Sequence, residues 1–208
     1  MRPQGHPRPL WVALGLALIF GFYLFQVTTN GLLVQLDHHV QQALNDLRVP
    51  SLFPVFHAFS WLGGFSITLG VCLIASLWLG GRRQWEPIPG LWLTFLGTLI
   101  SFTTIKWLIG RARPEPLAGI VENSASFPSG STALAAALYG FLAFILCQYR
   151  PNQRIVWVAL AFCLAALVAI SRLYLSVHYL SDVVAAIALG GFWCCVGIIL
   201  TQHRTGRS

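Results

Sequence analysis

The sequence predicts an all-α protein, a bundle of six transmembrane helices with a short amphipathic interfacial helix after the first span. Of its 208 residues, 56% are hydrophobic and only 9% are charged, whereas soluble domains carry about 25% charged residues. The apolar residues are gathered into long uncharged runs, and about 20 residues are enough for a helix to cross a bilayer. Short polar turns separate these runs, so the chain is expected to cross the membrane repeatedly.

Six apolar runs are predicted to be the spans: residues 10–28, 54–80, 88–109, 129–148, 155–170 and 180–200. The first follows a short basic head, which also fits a cleaved signal peptide, but its length and the missing Ala-x-Ala site favour a retained span. In the second, Gly63 and Gly64 are expected to let helices approach closely. Without an internal repeat or long linker, residues 1–208 are expected to form one membrane domain, with its motifs between residues 106 and 182.

Residues 31–50 differ from the spans. Leucine and valine recur there at the spacing of a helix face, with charged and amide side chains between them, which indicates an amphipathic helix lying on the membrane surface. His38 and His39 in this segment are adjacent, which is a poor arrangement for binding one metal ion. The five cysteines lie in or beside apolar runs without metal-ligand spacing. We therefore expect neither disulfides nor a bound metal or other cofactor.

The lysines and arginines predict the orientation of the chain. If six spans leave both termini on one side, eight of the 13 basic residues lie on that side and five on the other. The positive-inside rule then places both termini in the cytoplasm, and the polar segments after the first, third and fifth spans outside. The net charge of +7 is scattered over loops. Because no basic face is interleaved with aromatic residues, it does not indicate nucleic-acid binding.

Two segments on the predicted outer side suit an anion. Lys106 and Arg113 are seven residues apart, about two turns of helix, and two cations directed at one place can bind a phosphate. The alternative is a basic cluster that snorkels at the end of a span. The run Ser129-Gly130-Ser131 opens the fourth span, where free backbone N–H groups make an anion cradle. The alternative there is an ordinary helix cap by Ser129 or Ser131.

A third segment, residues 171–182, carries an arginine, a histidine and a carboxylate between two apolar runs, where such groups are costly unless they have a function. Arg172 is a further candidate phosphate ligand. His178 and Asp182 are four residues apart, so on a helix they share one face and the carboxylate can hold the imidazole. A histidine held in this way can act as a base or as a nucleophile. The alternative is a buried histidine satisfied by a nearby acid.

Together the three segments read K-x6-R-P from Lys106, P-S-G-x at residues 128–131, and S-R-x5-H-x3-D ending at Asp182. This set resembles the motifs of the type 2 phosphatidic acid phosphatase superfamily, membrane lipid phosphatases related to bacterial acid phosphatases and vanadium haloperoxidases. The resemblance covers residues 106–182 and includes the layout of six spans. It implies that His178 is the nucleophile that forms a phosphohistidine, with Asp182 orienting it. It also implies phosphate binding by Lys106, Arg113, Ser129, the backbone of Gly130, and Arg172. No metal is implied, because the cations supply the charge stabilisation that magnesium gives other phosphoryl-transfer enzymes.

One position departs from that pattern. The second motif normally ends in a histidine that protonates the leaving oxygen, and this chain has Ser131 there. A hydroxyl is a poor acid near neutral pH, and three explanations stay open: an active phosphatase with a substitute acid, a homologue without catalysis, and an engineered substitution. An alkoxide leaving a lipid monophosphate needs a proton, whereas the phosphate monoester leaving a lipid diphosphate has a second pKa of about 6. An active protein with Ser131 is therefore expected to favour diphosphates such as polyprenyl diphosphate.

The sequence thus predicts a metal-independent lipid phosphatase acting on a membrane lipid phosphate at the non-cytoplasmic face. One alternative is a catalytically impaired homologue that binds phospholipid. The other is a phosphotransferase that passes the phosphoryl group from His178 to another lipid. Small size and short loops favour a bacterial inner membrane, with the active site facing the periplasm.

Overall fold

The structure is a computed structural model that describes residues 8–115 and 122–205. Those residues form eight α-helices and no strand. The helices are α1 Arg8–Thr28, α2 Leu32–Leu47, α3 Phe53–Trp61, α4 Phe65–Gly81, α5 Pro87–Ile109, α6 Gly130–Tyr149, α7 Arg154–Tyr174 and α8 Leu180–Thr205. Short 3-10 turns at Pro50–Leu52 and Pro151–Gln153 precede α3 and α7.

The predicted all-α membrane fold is confirmed. In the described part of the chain, α1, α5, α6, α7 and α8 are each long and apolar enough to cross a membrane, and the bent pair of α3 and α4 is long and apolar enough to make a sixth span if the two helices count as one. Large apolar side chains such as Leu18, Leu77 and Phe162 stay exposed on the outer faces of α1, α4 and α7. Such faces are suited to contact with lipid, whose tails are as apolar as leucine.

The second span departs from the single helix expected over residues 54–80. It breaks at Leu62, Gly63 and Gly64, and its two halves meet at 40°. Glycine is a weak helix former, so two in succession allow the break. A Cβ on Gly63 would lie 2.4 Å from the carbonyl oxygen of Ser131. The glycine patch thus allows the close approach predicted for it, and the break is the point where this span meets the start of α6.

α6 is the centre of the bundle. Its residues Leu134, Leu138 and Phe141 are buried in a core cluster that also contains Phe95 of α5 and Cys194 of α8. α6 packs on α5, α7 and α8, and α8 packs in turn on α1. Because the central helix is held on three sides, its N-terminus is a fixed point around which the other segments of the site are arranged.

One end of the bundle collects the predicted site. The end of α5, the start of α6, the end of α7 and the start of α8 meet there, and α7 continues to Tyr174, past the end predicted at residue 170. The opposite end carries the basic residues of the other described helix termini and turns: Arg8, Arg82, Arg83, Arg150, Arg154 and Arg204. The two ends therefore differ in their charge.

α2 forms where the amphipathic helix was predicted, but it also contacts α1, α7 and α8 at the site end of the bundle. Its Asp37 is only 2% exposed, while Leu32 and Leu47 are largely exposed. This is the orientation expected of a helix whose outer face meets lipid or headgroups and whose inner face meets a polar site. A buried carboxylate is costly without partners, and the partners of Asp37 belong to that site.

Candidate active site

The three motif segments line a single cavity of about 300 Å³. α3 and the break before α4 form its other wall, with His57, Ser60 and Gly63. The cavity brings together most of the predicted site residues: Lys106, Arg113, Gly130, Ser131, Arg172 and His178. Three cations and an imidazole thus face one open cavity at the end of the bundle.

Lys106 and Arg113 reach the cavity differently from the expectation that both lie on one helix. α5 ends at Ile109, and Gly110 follows it with φ +61°, a left-handed conformation that glycine adopts without strain. The helix stops there, so Arg113 approaches from a segment without regular secondary structure, while Lys106 projects from the last turn of α5. Lys106 Nζ donates to the carbonyl oxygens of Ala125 and Ser126, which fixes it against the segment before α6.

His178 lies in the turn before α8 and is 1% exposed. Its Nδ1 is 3.5 Å from Asp182 Oδ2, so the predicted pair forms, although only Asp182 is inside the helix. Its Nε2 is 3.2 Å from Arg113 Nη1. A guanidinium has only donors, so Nε2 must be the acceptor and the ring proton sits on Nδ1, towards Asp182. The lone pair of Nε2 therefore faces the cations of the cavity.

The electrostatic surroundings keep the His178 ring neutral. Burial is the largest cause and, with Arg172 and Arg113, it lowers the pKa of His178 to about 4, against the opposing effect of Asp182. Near neutral pH the imidazole is therefore uncharged. An uncharged imidazole can act as a nucleophile, whereas an imidazolium cannot.

Asp182 is fully buried and its two oxygens are saturated with donors. Oδ2 accepts from Ser126 Oγ at 2.5 Å and from the backbone N–H of Tyr179 at 2.9 Å. Oδ1 accepts from Arg111 Nη1 at 2.5 Å. A buried carboxylate with this many donors stays ionised and fixed in place, so it can orient His178.

Arg111 joins Asp182 to a second buried carboxylate. Its Nη2 donates to Asp37 Oδ2 at 2.8 Å, and its Nη1 also donates to Ser181 Oγ at 2.8 Å. The guanidinium carbon lies 4.4 Å from the ring centre of Tyr179. Burial alone would lower the pKa of Arg111, but Asp182 and Asp37 raise it further above its already high value. Arg111 is thus a permanent cation held between two carboxylates.

Glu122 holds the two arginines on the other side of the cavity. Its Oε2 lies 2.8 Å from Arg113 Nη2, and its Oε1 accepts from Arg172 Nη2. Burial would raise the pKa of Glu122, but Arg172 and Arg113 outweigh it and lower the pKa below its ordinary value. The nitrogen Nε of Arg172 is buried and has no partner among the described residues. Two arginines side by side already bind the two oxygens of one anion, and one further donor is available.

The start of α6 completes the cavity wall. Ser129 is the residue before the helix, but it makes no side-chain cap bond; its Oγ is 3.0 Å from Thr132 Oγ1 and its N–H donates to the carbonyl of Asp182. Gly130 and Ser131 follow and border the cavity, where the first N–H groups of the helix and the positive end of its dipole are directed. Of the predicted phosphate ligands, Ser129 is thus the one that lies behind the cavity wall.

Among the residues that pair with the charged groups of the site, four were not predicted from the sequence: Asp37, Arg111, Glu122 and Ser126. Arg111 lies inside the K-x6-R-P motif, and a third cation in that short interval was a usable signal. Asp37 occurs in a helix with several polar residues, so nothing in its spacing distinguishes it from the exposed ones. Glu122 and Ser126 lie in a polar loop, and only the fold brings them to the arginines and to Asp182.

The family model of the PAP2 superfamily matches residues 87–205. Phosphatidylglycerophosphatase B of Bacillus subtilis is 32% identical over 161 residues, which make up 74% of this chain and 77% of that protein. Lipid A 1-phosphatase of Rhizobium etli is 28% identical over 158 residues, 62% of this chain and 64% of that protein.

A solved structure resembles the whole bundle. It is the crystal structure of a transmembrane PAP2-type phosphatidylglycerolphosphate phosphatase from Bacillus subtilis, which matches with a TM-score of 0.83 and 28% identity. The match covers 90% of this chain and 94% of that one. The likeness therefore extends beyond the motif segments to the arrangement of nearly all the helices.

Proposed function

The chain belongs to the PAP2 superfamily and is a membrane lipid phosphatase of that type, and from this premise we propose that it hydrolyses a lipid phosphate or diphosphate through a phosphohistidine on His178. The observation that carries the proposal is the position of His178 Nε2. It is 3.2 Å from Arg113 Nη1 and faces a cavity that Lys106 and Arg172 also line. A neutral nucleophile beside three cations is the arrangement that a phosphoryl group requires.

In the proposed complex the substrate phosphate binds between Arg113 and Arg172. These arginines already hold both oxygens of the Glu122 carboxylate, which supports their ability to bind two oxygens of a phosphate in the same way. The unpartnered Nε of Arg172 provides a donor for a further oxygen. Lys106 and the N–H groups of Gly130 and Ser131 complete a ring of positive charge.

The attack begins at Nε2 of His178. A bond forms between Nε2 and phosphorus while the bond from phosphorus to the leaving oxygen breaks, and that oxygen keeps the electron pair. The ring then carries a proton on Nδ1, phosphorus on Nε2 and a positive charge. The buried Asp182 stabilises this charge from the Nδ1 side. In the second step water attacks the phosphorus, inorganic phosphate departs, and the electron pair of the N–P bond returns to Nε2.

The leaving oxygen decides the substrate class in this proposal. Ser131 borders the cavity at the position where the family's pattern has the histidine that acts as general acid, and general acid catalysis contributes roughly 10²–10⁴-fold. A hydroxyl can donate a hydrogen bond to the leaving oxygen but cannot give it a proton at neutral pH. We therefore propose that lipid diphosphates, such as a polyprenyl diphosphate, are better substrates than lipid monophosphates.

We also propose that the site faces away from the cytoplasm in a bacterial inner membrane. The described basic residues at the opposite end are exposed turn and terminal residues, whereas Lys106, Arg111, Arg113 and Arg172 at the site end are engaged in the cavity or its support. If these four cations are left out of the count, the excess of basic residues at the opposite end becomes larger, and the positive-inside rule then places that end in the cytoplasm more clearly. A membrane-impermeant maleimide should label Asp46→Cys in intact cells, and Arg83→Cys only after the cells are opened.

The test of the proposed function is phosphate release by the purified protein in detergent micelles. A prenyl diphosphate and phosphatidic acid are compared, with His178→Ala as the inactive control. We expect release from the diphosphate, less or none from phosphatidic acid, and none with His178→Ala. Equal rates on both lipids would refute the substrate preference, and release that survives His178→Ala would refute the nucleophile.

The same assay separates the two alternative functions. If wild type binds the lipids but releases no phosphate, the protein is a phospholipid-binding homologue without catalysis. Activity gained with Ser131→His would then identify the serine as the reason. If a labelled phosphoryl group appears on an acceptor lipid instead of in solution, the protein is a phosphotransferase.

A further inference from the structure

The amphipathic helix α2 carries a buried carboxylate that does not border the cavity. Asp37 Oδ1 accepts from the backbone N–H of Ser181 at 2.8 Å. Asp37 Oδ2 accepts from Ser181 Oγ at 2.5 Å and from Arg111 Nη2 at 2.8 Å. Ser181 is the third residue after His178. One side chain of α2 therefore fixes the end of the turn that carries the candidate nucleophile.

α2 also contacts the other end of that turn. Gln41, one helical turn after Asp37, donates from Nε2 to Ser176 Oγ, and Ser176 Oγ donates to the carbonyl oxygen of Glu115 at 2.9 Å. Ser176 has φ +56°, a left-handed conformation that costs free energy in a residue other than glycine and persists only where neighbours enforce it. The turn is thus held two residues before His178 and three residues after it by the same helix.

Charges of alternating sign run from α2 to the nucleophile. Asp37 pairs with Arg111 Nη2, Arg111 Nη1 pairs with Asp182 Oδ1 at 2.5 Å, and Asp182 Oδ2 lies 3.5 Å from His178 Nδ1. Asp37 and Asp182 are almost completely buried, so water screens these interactions weakly. A change of charge at Asp37 is therefore felt at His178, although the two side chains do not touch.

We propose that Asp37 is a positioning residue of the phosphoryl-transfer site, which fixes the turn that carries His178 and balances the charge of Arg111 so that Asp182 can support the positive ring of the intermediate. The inference deepens the proposed function and rests on it. Asp37 does not contact the substrate; it acts through Ser181 and Arg111. An amphipathic helix expected to lie on the membrane surface is in this way part of the nucleophile's support.

The negative charge of Asp37 beside Arg111 distinguishes the proposed positioning role from a role in packing alone. Without the Asp37 carboxylate, the full charge of Arg111 would act on Asp182 alone and would oppose the positive charge that develops on His178. An isosteric amide at residue 37 keeps the volume and the acceptor for the Ser181 N–H but loses the negative charge. A longer carboxylate keeps the charge but fits less well in a buried position. If the charge of residue 37 decides, Asp37→Glu should be more active than Asp37→Asn. If packing decides, the order of the two activities should be the reverse.

The experiment compares Asp37→Asn, Asp37→Glu and Asp46→Asn as purified proteins, with a prenyl diphosphate as substrate. Asp46 lies on the same helix and is exposed, so Asp46→Asn is the matched control and should stay within about twofold of wild type. Loss of a side chain that orients a metal ligand typically costs about 10–100-fold in affinity or activity, and we expect a loss of similar size in kcat for Asp37→Asn. KM and the inhibition constant of inorganic phosphate should change little, because Lys106, Arg113 and Arg172 remain. Asp37→Glu should retain more activity than Asp37→Asn.

Three results would overturn the inference: Asp37→Asn equal to Asp46→Asn, a loss that falls on KM instead of kcat, or Asp37→Glu less active than Asp37→Asn. If Asp37→Asn does not give folded protein, Arg111→Lys takes its place with the same expectation, since a single ammonium group cannot replace the fork that joins the two carboxylates. The failure of the proposed function looks different. If wild type releases no phosphate from any lipid phosphate, the proposed function and this inference both fall. If wild type is active and Asp37→Asn matches the control, the inference alone falls.

Discussion

The two sides of the cavity are built very differently. On the side of the proposed nucleophile, His178 is backed by Asp182, Arg111 and Asp37 in a largely buried network of charged groups. On the leaving-group side, Ser131 borders the cavity as a neutral hydroxyl at the start of α6. In the proposed mechanism, the parts for attack and for phosphate binding are therefore complete, while the part that helps the leaving group depart is reduced. The chemistry of this protein should therefore depend on how easily the leaving group departs.

Removing the nucleophile has the largest expected effect. His178→Ala should lower kcat by about 10⁴-fold or more, because loss of a nucleophile leaves only the binding contribution to catalysis. Phosphate release and labelling of the protein by a radioactive lipid diphosphate measure the change. The variant should still elute from a sizing column in detergent as wild type does. Substantial phosphate release by well-folded His178→Ala would show that His178 is not the nucleophile, and the contrast between the two sides of the cavity would not hold.

Adding an acid has the next largest expected effect. Ser131→His should raise phosphate release from phosphatidic acid by about 10²–10⁴-fold, the usual contribution of general acid catalysis, and should change release from a prenyl diphosphate much less. Ser131→Ala serves as the control and should show no gain on either lipid. An equal gain on both lipids would mean that residue 131 affects binding and not departure.

Glu122→Gln should have a smaller effect, and it should strengthen phosphate binding instead of changing catalysis. Glu122 is partly exposed and its ion pairs compete with phosphate for Arg113 and Arg172, so its removal should tighten inhibition by inorganic phosphate by about 2- to 5-fold, the size of an exposed ion pair. Glu115→Gln, a second acid of the same loop whose described contact is through its backbone carbonyl, is the control. Weaker inhibition in Glu122→Gln would instead assign Glu122 to holding the arginines in their binding positions.

The smallest expected effect concerns the protonation of His178, which should not occur in the pH range usual for histidine. Since the pKa of His178 is lowered to about 4, its ring nitrogens should give no NMR titration step between pH 5.5 and 8, and a step near pH 4. Between about pH 6.5 and pH 4 the unfolded chain binds a proton at this residue and the folded protein does not, so acid should destabilise the fold there. A step at pH 6 to 7 would show that the ring is not desolvated.

The sequence predicted most of the fold because the spans are set by local composition. The apolar runs locate α1, α5, α6, α7 and α8 to within a few residues, and they predict residues 54–80 as one apolar stretch. The break in that stretch was not predicted, since the glycine patch only allowed it and contact of Gly63 with Ser131 fixes it. The pairing of Arg113 with Lys106 was expected on one helix, and Gly110 instead ends that helix between them.

Most of the charged residues that line the cavity were predictable from the sequence, whereas the residues that hold them in place from outside it were not. Lys106, Arg113, Arg172 and His178 stand out because charged groups are rare beside apolar runs. Asp37 and Ser126 do not stand out, since their burial depends on contacts with residues more than 50 positions away. No local pattern of polarity can distinguish such residues from exposed ones. Ser131 was recognisable only as a departure from a family's motif.

The central claim is that attack is fully supported while departure is not, and a series of leaving groups tests it most directly. Single-turnover rates of the wild-type protein should be measured on phosphate esters that share one lipid anchor and release oxygens of graded basicity, from an alkoxide to a phosphate monoester. We predict that the rate rises steeply as the leaving oxygen becomes less basic, and that Ser131→His flattens this dependence. A flat dependence in the wild-type protein would contradict the account, because it would mean that the leaving oxygen receives its proton without a histidine at residue 131.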